Sequence, residues 1–105
     1  MTDTLGWPGG QRGAAVPIIR EIQITNKRGL HARASAKFVQ CVELYQAQVT
    51  VSRGGETVGG TSIMGLMMLA AGPGSSIIVT AKGHEARECL DALQDLLSEK
   101  FGEDE

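Results

Sequence analysis

The chain has 105 residues, 42% hydrophobic but only 4% aromatic, which predicts one domain with an aliphatic core supplemented by Met. A net charge of -2 supplies no basic surface for a phosphate backbone, so nucleic acid is not an expected partner. No apolar run approaches the roughly 20 residues that span a bilayer. The first residues also lack the basic and apolar regions of a secretory signal, so the expectation is a cytoplasmic chain without membrane insertion.

Residues 1–16 are rich in Gly, Thr and Pro, show no periodicity and read as a flexible N-terminal extension. Trp7 reads as an exposed aromatic on that extension, the alternative being a dock on the domain or on a partner. The domain itself is expected over residues 17–102. Alternation at Ile18, Ile22 and Ile24 predicts a first strand over Pro17–Thr25, followed by a turn at Thr25-Asn26-Lys27-Arg28-Gly29. From Ala32 the period becomes helical. Ala34, Phe38, Cys41, Val42 and Tyr45 share one face of a helix over Ala32–Tyr45.

The β-branched run Val49-Thr50-Val51 predicts a second strand, and Arg53-Gly54-Gly55-Glu56 a hairpin turn into a third, Glu56–Val58. Ser62 is placed to cap a short apolar helix over Ile63–Ala71, which Gly72-Pro73-Gly74 ends. Ser76–Thr80 is continuous enough to be a central fourth strand, and Lys82-Gly83-His84 reads as a turn. A last helix over Glu85–Phe101 carries Ala86, Leu90, Leu93, Leu97 and Phe101 on one face. Residues 103–105 form an acidic tail, expected to be frayed. This order of elements predicts a two-layer α/β open-faced sandwich, with helices on one face of a small antiparallel sheet.

The residues that carry chemistry cluster at the first helix start. His31 falls at its N-cap or first turn, where unpaired backbone N–H groups and the helix dipole favour an anion. A neutral imidazole is a nucleophile near neutral pH, and Arg33 follows within reach of phosphoryl oxygens. A phosphoryl group on a ring nitrogen is easily passed on, so this is a site that can hold an anion and release it. The bland alternative for a lone His is a surface side chain, and His84, in the turn Lys82-Gly83-His84, takes that reading.

Ser62 is first of all a helix cap, but a phosphate there would complement the dipole while adding a charge of about -1.5 to -2. That charge would lie beside the apolar run Ile63-Met64-Gly65-Leu66-Met67-Met68-Leu69, too apolar for a short helix to bury on every side. The remainder reads as an exposed patch suited to docking. Cys41 and Cys89 form no CxxC or Cys/His cluster and read as buried free thiols, so no metal site and no cofactor are expected. The paired glycines match no nucleotide-binding fingerprint.

The segments Asn26-Lys27-Arg28-Gly29-Leu30-His31-Ala32-Arg33 and Thr61-Ser62-Ile63-Met64-Gly65-Leu66-Met67 together closely resemble the HPr family. Its members are the histidine-containing phosphocarriers of the bacterial phosphotransferase system. The resemblance spans about Ile18 to Phe101. It implies a four-stranded antiparallel sheet with three helices on one side. It further implies that His31 accepts a phosphoryl group on Nδ1 from enzyme I, charged by phosphoenolpyruvate, and passes it to an enzyme IIA.

Arg33 would support the phosphohistidine, Ser62 matches the position phosphorylated by HPr kinase, and Ile63, Leu66 and Met67 match the apolar docking surface. A monomer is expected. The family's usual Pro after the Arg is replaced by Ala34, which removes a stiffened helix start. The motifs leave the sugar-transport and nitrogen branches open. Two rival classes fit these residues less well. A regulatory module of the same fold, acting through Ser62 and its patch without phosphotransfer, would not need His31 with Arg33. A stand-alone phosphatase lacks a second acid/base in the sequence.

Overall fold

The computed structural model describes residues 16–103. The N-terminal extension apart from Val16, including Trp7, and the last two residues of the acidic tail lie outside the described residues. Alternating apolar residues build a four-stranded antiparallel sheet in the order β1-β4-β2-β3, from β1 (Ile18–Gln23), β2 (Gln48–Arg53), β3 (Glu56–Gly59) and β4 (Ser76–Lys82). The β4 strand lies between β1 and β2, as its continuous apolar character predicted. Its inward residues Ile77, Val79 and Ala81 are fully buried, and it registers Ile22 against Ile77 on one side and Val51 against Val79 on the other. The opposite sheet face carries Ile19, Thr50, Thr57 and Thr80 and is left without a covering layer among the described residues.

Three helices cover the inner face: α1 (Ala32–Glu43), α2 (Ile63–Met68) and α3 (Ala86–Ser98). Helix α1 buries Ala34, Phe38, Val39 and Val42, and α3 buries Ala86, Cys89, Leu90, Leu93 and Leu97. Their stripes close over Ile22, Val51, Ile77 and Val79 into one core. The connection β1–α1–β2 brings β2 back parallel to β1 with β4 between them, and β3–α2–β4 does the same around β2. Both helix starts that bear candidate residues thus follow a strand end.

Three boundaries differ from the sequence expectation. Helix α1 stops at Glu43, with Cys41 only half-buried. Helix α2 stops at Met68, where the guanidinium of Arg53 donates to Leu69 O at 3.0 Å and Ala70 adopts a left-handed φ of 54°. Helix α3 ends at Ser98, followed by a 3-10 turn over Lys100–Gly102 in place of a continuous helix. That turn returns Phe101 to the core at 1% exposure, and Lys37 Nζ holds its carbonyl at 2.6 Å. The acidic tail is not frayed at Glu103, which folds back onto the start of α1.

Candidate functional site

His31 is the N-cap of α1, with extended backbone angles (φ -73°, ψ -179°). Its carbonyl accepts the first helical bond from Ser35 N at 2.8 Å. Its Nδ1 faces into the first turn, 3.5 Å from Ala34 N, in a long contact that an incoming group can replace. Because residue 34 is Ala and not Pro, this N–H is present. The N–H groups of Ala32 and Arg33 lie in the same first turn, where a helix offers no backbone acceptor.

The loop before His31 is fixed by Gly29. Its φ of +65° is left-handed, and a Cβ there would stand 2.2 Å from Ala71 O. That same carbonyl accepts from Leu30 N at 3.0 Å, tying the His31 loop to the segment leaving α2. The fully buried Asn26 spans the turn, its Nδ2 donating to Gly29 O at 2.8 Å, while its Oδ1 is buried without a partner among the described residues. Ser35 Oγ bonds Leu30 O at 3.2 Å from the helix side.

On the other side of the ring, His31 Nε2 pairs with Glu103 Oε2 at 2.5 Å, and Glu103 Oε1 accepts from Asn26 Nδ2 at 3.2 Å. Burial on its own pushes the Glu103 carboxyl up. Hydrogen bonds from His31 and Asn26, with the charges of His31 and Arg28, outweigh that effect and hold it below its ordinary value. Arg33 is exposed in the first turn of α1 and makes no ion pair or hydrogen bond among the described residues, so its guanidinium is not held by another side chain. Lys27 and Arg28 are exposed on the preceding turn, making a basic rim on a chain that is acidic overall.

Ser62 is the exposed N-cap of α2, its Oγ accepting from Gly65 N at 3.0 Å. Helix α2 packs on α1, so His31 and Ser62 belong to neighbouring helices of one layer. Ile63 and Met67 are 40% and 42% exposed, as a docking surface requires, and Met64 and Met68 are more exposed still. Leu66 is the exception. It is fully buried, because α2 makes fewer than two turns and its inward row is Leu66 with Leu69 below it. Leu66 therefore belongs to the core, and the outward patch is Ile63, Met64, Met67 and Met68.

His84 is exposed just before α3, at the opposite end of that helix from Glu103. The thiols of Cys41 and Cys89 are free, and burial pushes Cys89 up to about 11, with the charges of Cys41 and Glu85 adding to the shift. Such a thiol is inert at neutral pH. A depression of about 370 Å³ on the open sheet face is lined by Pro17, Gln48, Thr50, Thr80 and Lys82, none of them a candidate residue.

The sequence reading missed two contributors. Asn26 lies in the turn before His31, and an Asn that can bond across a turn is a known turn former. Glu103 gave no signal at all, since one carboxylate in an acidic tail looks like any other.

The family model described as the PTS HPr component phosphorylation site matches residues 18–99. The phosphocarrier protein HPr of Cupriavidus necator is 49% identical over 86 residues, covering 82% of this chain and 97% of that protein. The phosphocarrier protein NPr of Shewanella violacea is 38% identical over 84 residues, covering 80% of this chain and 92% of that protein. The crystal structure of HPr-C-His from Thermoanaerobacter tengcongensis superposes with a TM-score of 0.79 at 39% identity, covering 84% of this chain and 99% of that one. Sequence, fold and the histidine at the helix start agree, and the chain belongs to the HPr phosphocarrier family of the phosphotransferase system.

Proposed function

We propose that the chain carries a phosphoryl group on Nδ1 of His31, taking it from enzyme I charged by phosphoenolpyruvate and delivering it to an enzyme IIA. The observation that carries this reading is the position of His31 as the N-cap of a 12-residue helix, with Nδ1 turned into the first turn and Arg33 exposed in that same turn. The lone pair of Nδ1 attacks phosphorus. The contact to Ala34 N opens, and the first-turn N–H groups are then free to donate to phosphoryl oxygens. Arg33 adds a mobile cation. Backbone dipoles and one guanidinium hold the anion at the surface without enclosing it, which suits transfer from protein to protein.

Partners dock on Ile63, Met64, Met67 and Met68, and phosphorylation of Ser62 by an HPr kinase places negative charge beside that patch. The hydroxyl is exposed and its cap bond leaves room for the modification. The chain works as a monomer in the cytoplasm. Relatives bearing the names HPr and NPr both match, so transfer in a sugar or a nitrogen branch fits this site equally.

The test is phosphorylation with enzyme I and labelled phosphoenolpyruvate. An acid-labile, base-stable label is expected in the native chain and in His84→Ala, and none in His31→Ala. Label persisting in His31→Ala and lost in His84→Ala would sink the assignment.

A further inference from the structure

We propose that Glu103 is a positioning residue for His31. Its carboxylate fixes the ring so that Nε2 carries the proton and Nδ1 keeps the lone pair that attacks phosphorus. This deepens the carrier reading and rests on it. Three independent observations support it.

The first is the contact itself. Nε2 and Glu103 Oε2 are 2.5 Å apart, and only 17% and 21% of the two side chains is exposed. A carboxylate has no proton to give at neutral pH, so the ring nitrogen must be the donor, and the other ring nitrogen of a neutral imidazole is then the acceptor. The 3.5 Å approach of Ala34 N to Nδ1 selects the same tautomer from the other side.

The second is that the carboxylate is itself oriented. Asn26 Nδ2 donates to Glu103 Oε1 and also to Gly29 O, so one amide group sets both the loop that carries His31 and the carboxylate that grips it. A ring held by a carboxylate that is held in turn is the arrangement by which a working histidine is generally kept in one tautomer.

The third is the backbone that delivers Glu103. Lys100, Phe101 and Gly102 are consecutive left-handed residues with φ of 56°, 58° and 78°, and two of them are not glycine. Such conformations persist where the surroundings impose them. Here the burial of Phe101 and the bond from Lys37 Nζ to its carbonyl impose the reversal, and the residue that follows is the one that reaches His31. A tail merely lying on the surface would need none of this.

In the transfer step, a bond forms between Nδ1 and phosphorus while the bond from phosphorus to the donor's leaving atom breaks, its electron pair departing with that atom. Nε2 keeps its proton, so the phosphorylated ring is left positively charged. Glu103 faces that charge. Onward transfer reverses the step, and the electron pair returns to Nδ1.

The experiment uses the full chain and two variants, Glu103→Ala and Glu103→Gln, the second retaining an acceptor oxygen at the same reach. Proton NMR of the unphosphorylated chain reads the Nε2–H resonance. It is expected to be protected from solvent exchange in the native chain and in Glu103→Gln, and lost in Glu103→Ala. Single-turnover acceptance from phosphorylated enzyme I is expected to fall about tenfold in Glu103→Ala, the lower range for loss of an outer partner of a working histidine. Most of that loss is recovered in Glu103→Gln.

Native-rate acceptance by Glu103→Ala overturns the proposal, as does a native chain without a protected Nε2–H. The Phe101 ring resonances report whether the turn is intact; should Glu103→Ala disturb them, Glu103→Gln decides, since loss of its protected proton or a tenfold loss of rate overturns the proposal. Failure of the carrier reading looks different: label would then persist in His31→Ala, whatever the ring resonance shows.

Discussion

Replacing Gly29 by alanine tests the loop that presents His31. Two costs add. An L residue in the left-handed region costs roughly 1–2 kcal/mol. The added Cβ would also stand 2.2 Å from Ala71 O and 2.9 Å from Gly72 Cα, so the segment after α2 must move away. The bond from Leu30 N to Ala71 O is then lost between residues that are 5% and 2% exposed, leaving buried polar groups unpaired. That loss costs about 1–3 kcal/mol. A total near 3 kcal/mol corresponds to a fall in Tm of roughly 12–24 °C for a domain of this size.

The control is Gly54→Ala, where φ is a similar +59° but nothing lies within 4 Å of the new Cβ. It should show the backbone cost alone, about 1–2 kcal/mol. Thermal unfolding by circular dichroism measures both, and phosphoryl acceptance should fall in Gly29→Ala while remaining native in Gly54→Ala. Equal destabilisation of the two variants would refute the argument that Ala71 fixes the His31 loop.

Leu66→Ala should destabilise by about 2–5 kcal/mol as a core truncation, whereas Met64→Ala should change stability by less than about 0.5 kcal/mol and weaken partner binding; urea titration and an enzyme I binding isotherm separate them. Ser62→Ala should cost about 1 kcal/mol through the lost cap, while Ser62→Asp keeps a capping oxygen and slows acceptance from enzyme I; native kinetics in Ser62→Asp would remove the braking role. The Glu103 carboxyl is held below its ordinary value, so its contribution to stability is fully present above about 4.5 and is lost as pH falls through the lowered value. The stability difference between the native chain and Glu103→Gln should therefore close as pH falls below about 4.5, as followed by denaturant unfolding across acid pH.

The alternation of Ile18, Ile22 and Ile24, the helical stripes of α1 and α3, the Gly54-Gly55 hairpin and the caps at His31 and Ser62 were all legible in the sequence. Each rests on a local rule: period, turn conformation, or an oxygen or nitrogen that can satisfy a first-turn N–H. His31 and Arg33 were found for the same reason, since a helix start is itself the anion site. Leu66 was misread because an all-apolar segment has no periodicity to tell its inner side from its outer one. Only the packing of α2 on α1 put Leu66 in the core and left Ile63, Met64, Met67 and Met68 outside.

What the sequence alone determined is therefore the set of elements and the chemistry at each helix start. What the tertiary structure decided is which distant groups meet there. Ala71 O fixes the loop through Gly29 and Leu30. Glu103, separated from His31 by 72 positions, reaches Nε2 because three left-handed residues fold the chain back across α1. No local pattern encodes such a meeting. It follows from the burial of Phe101, a contact the chain makes only once its core has closed.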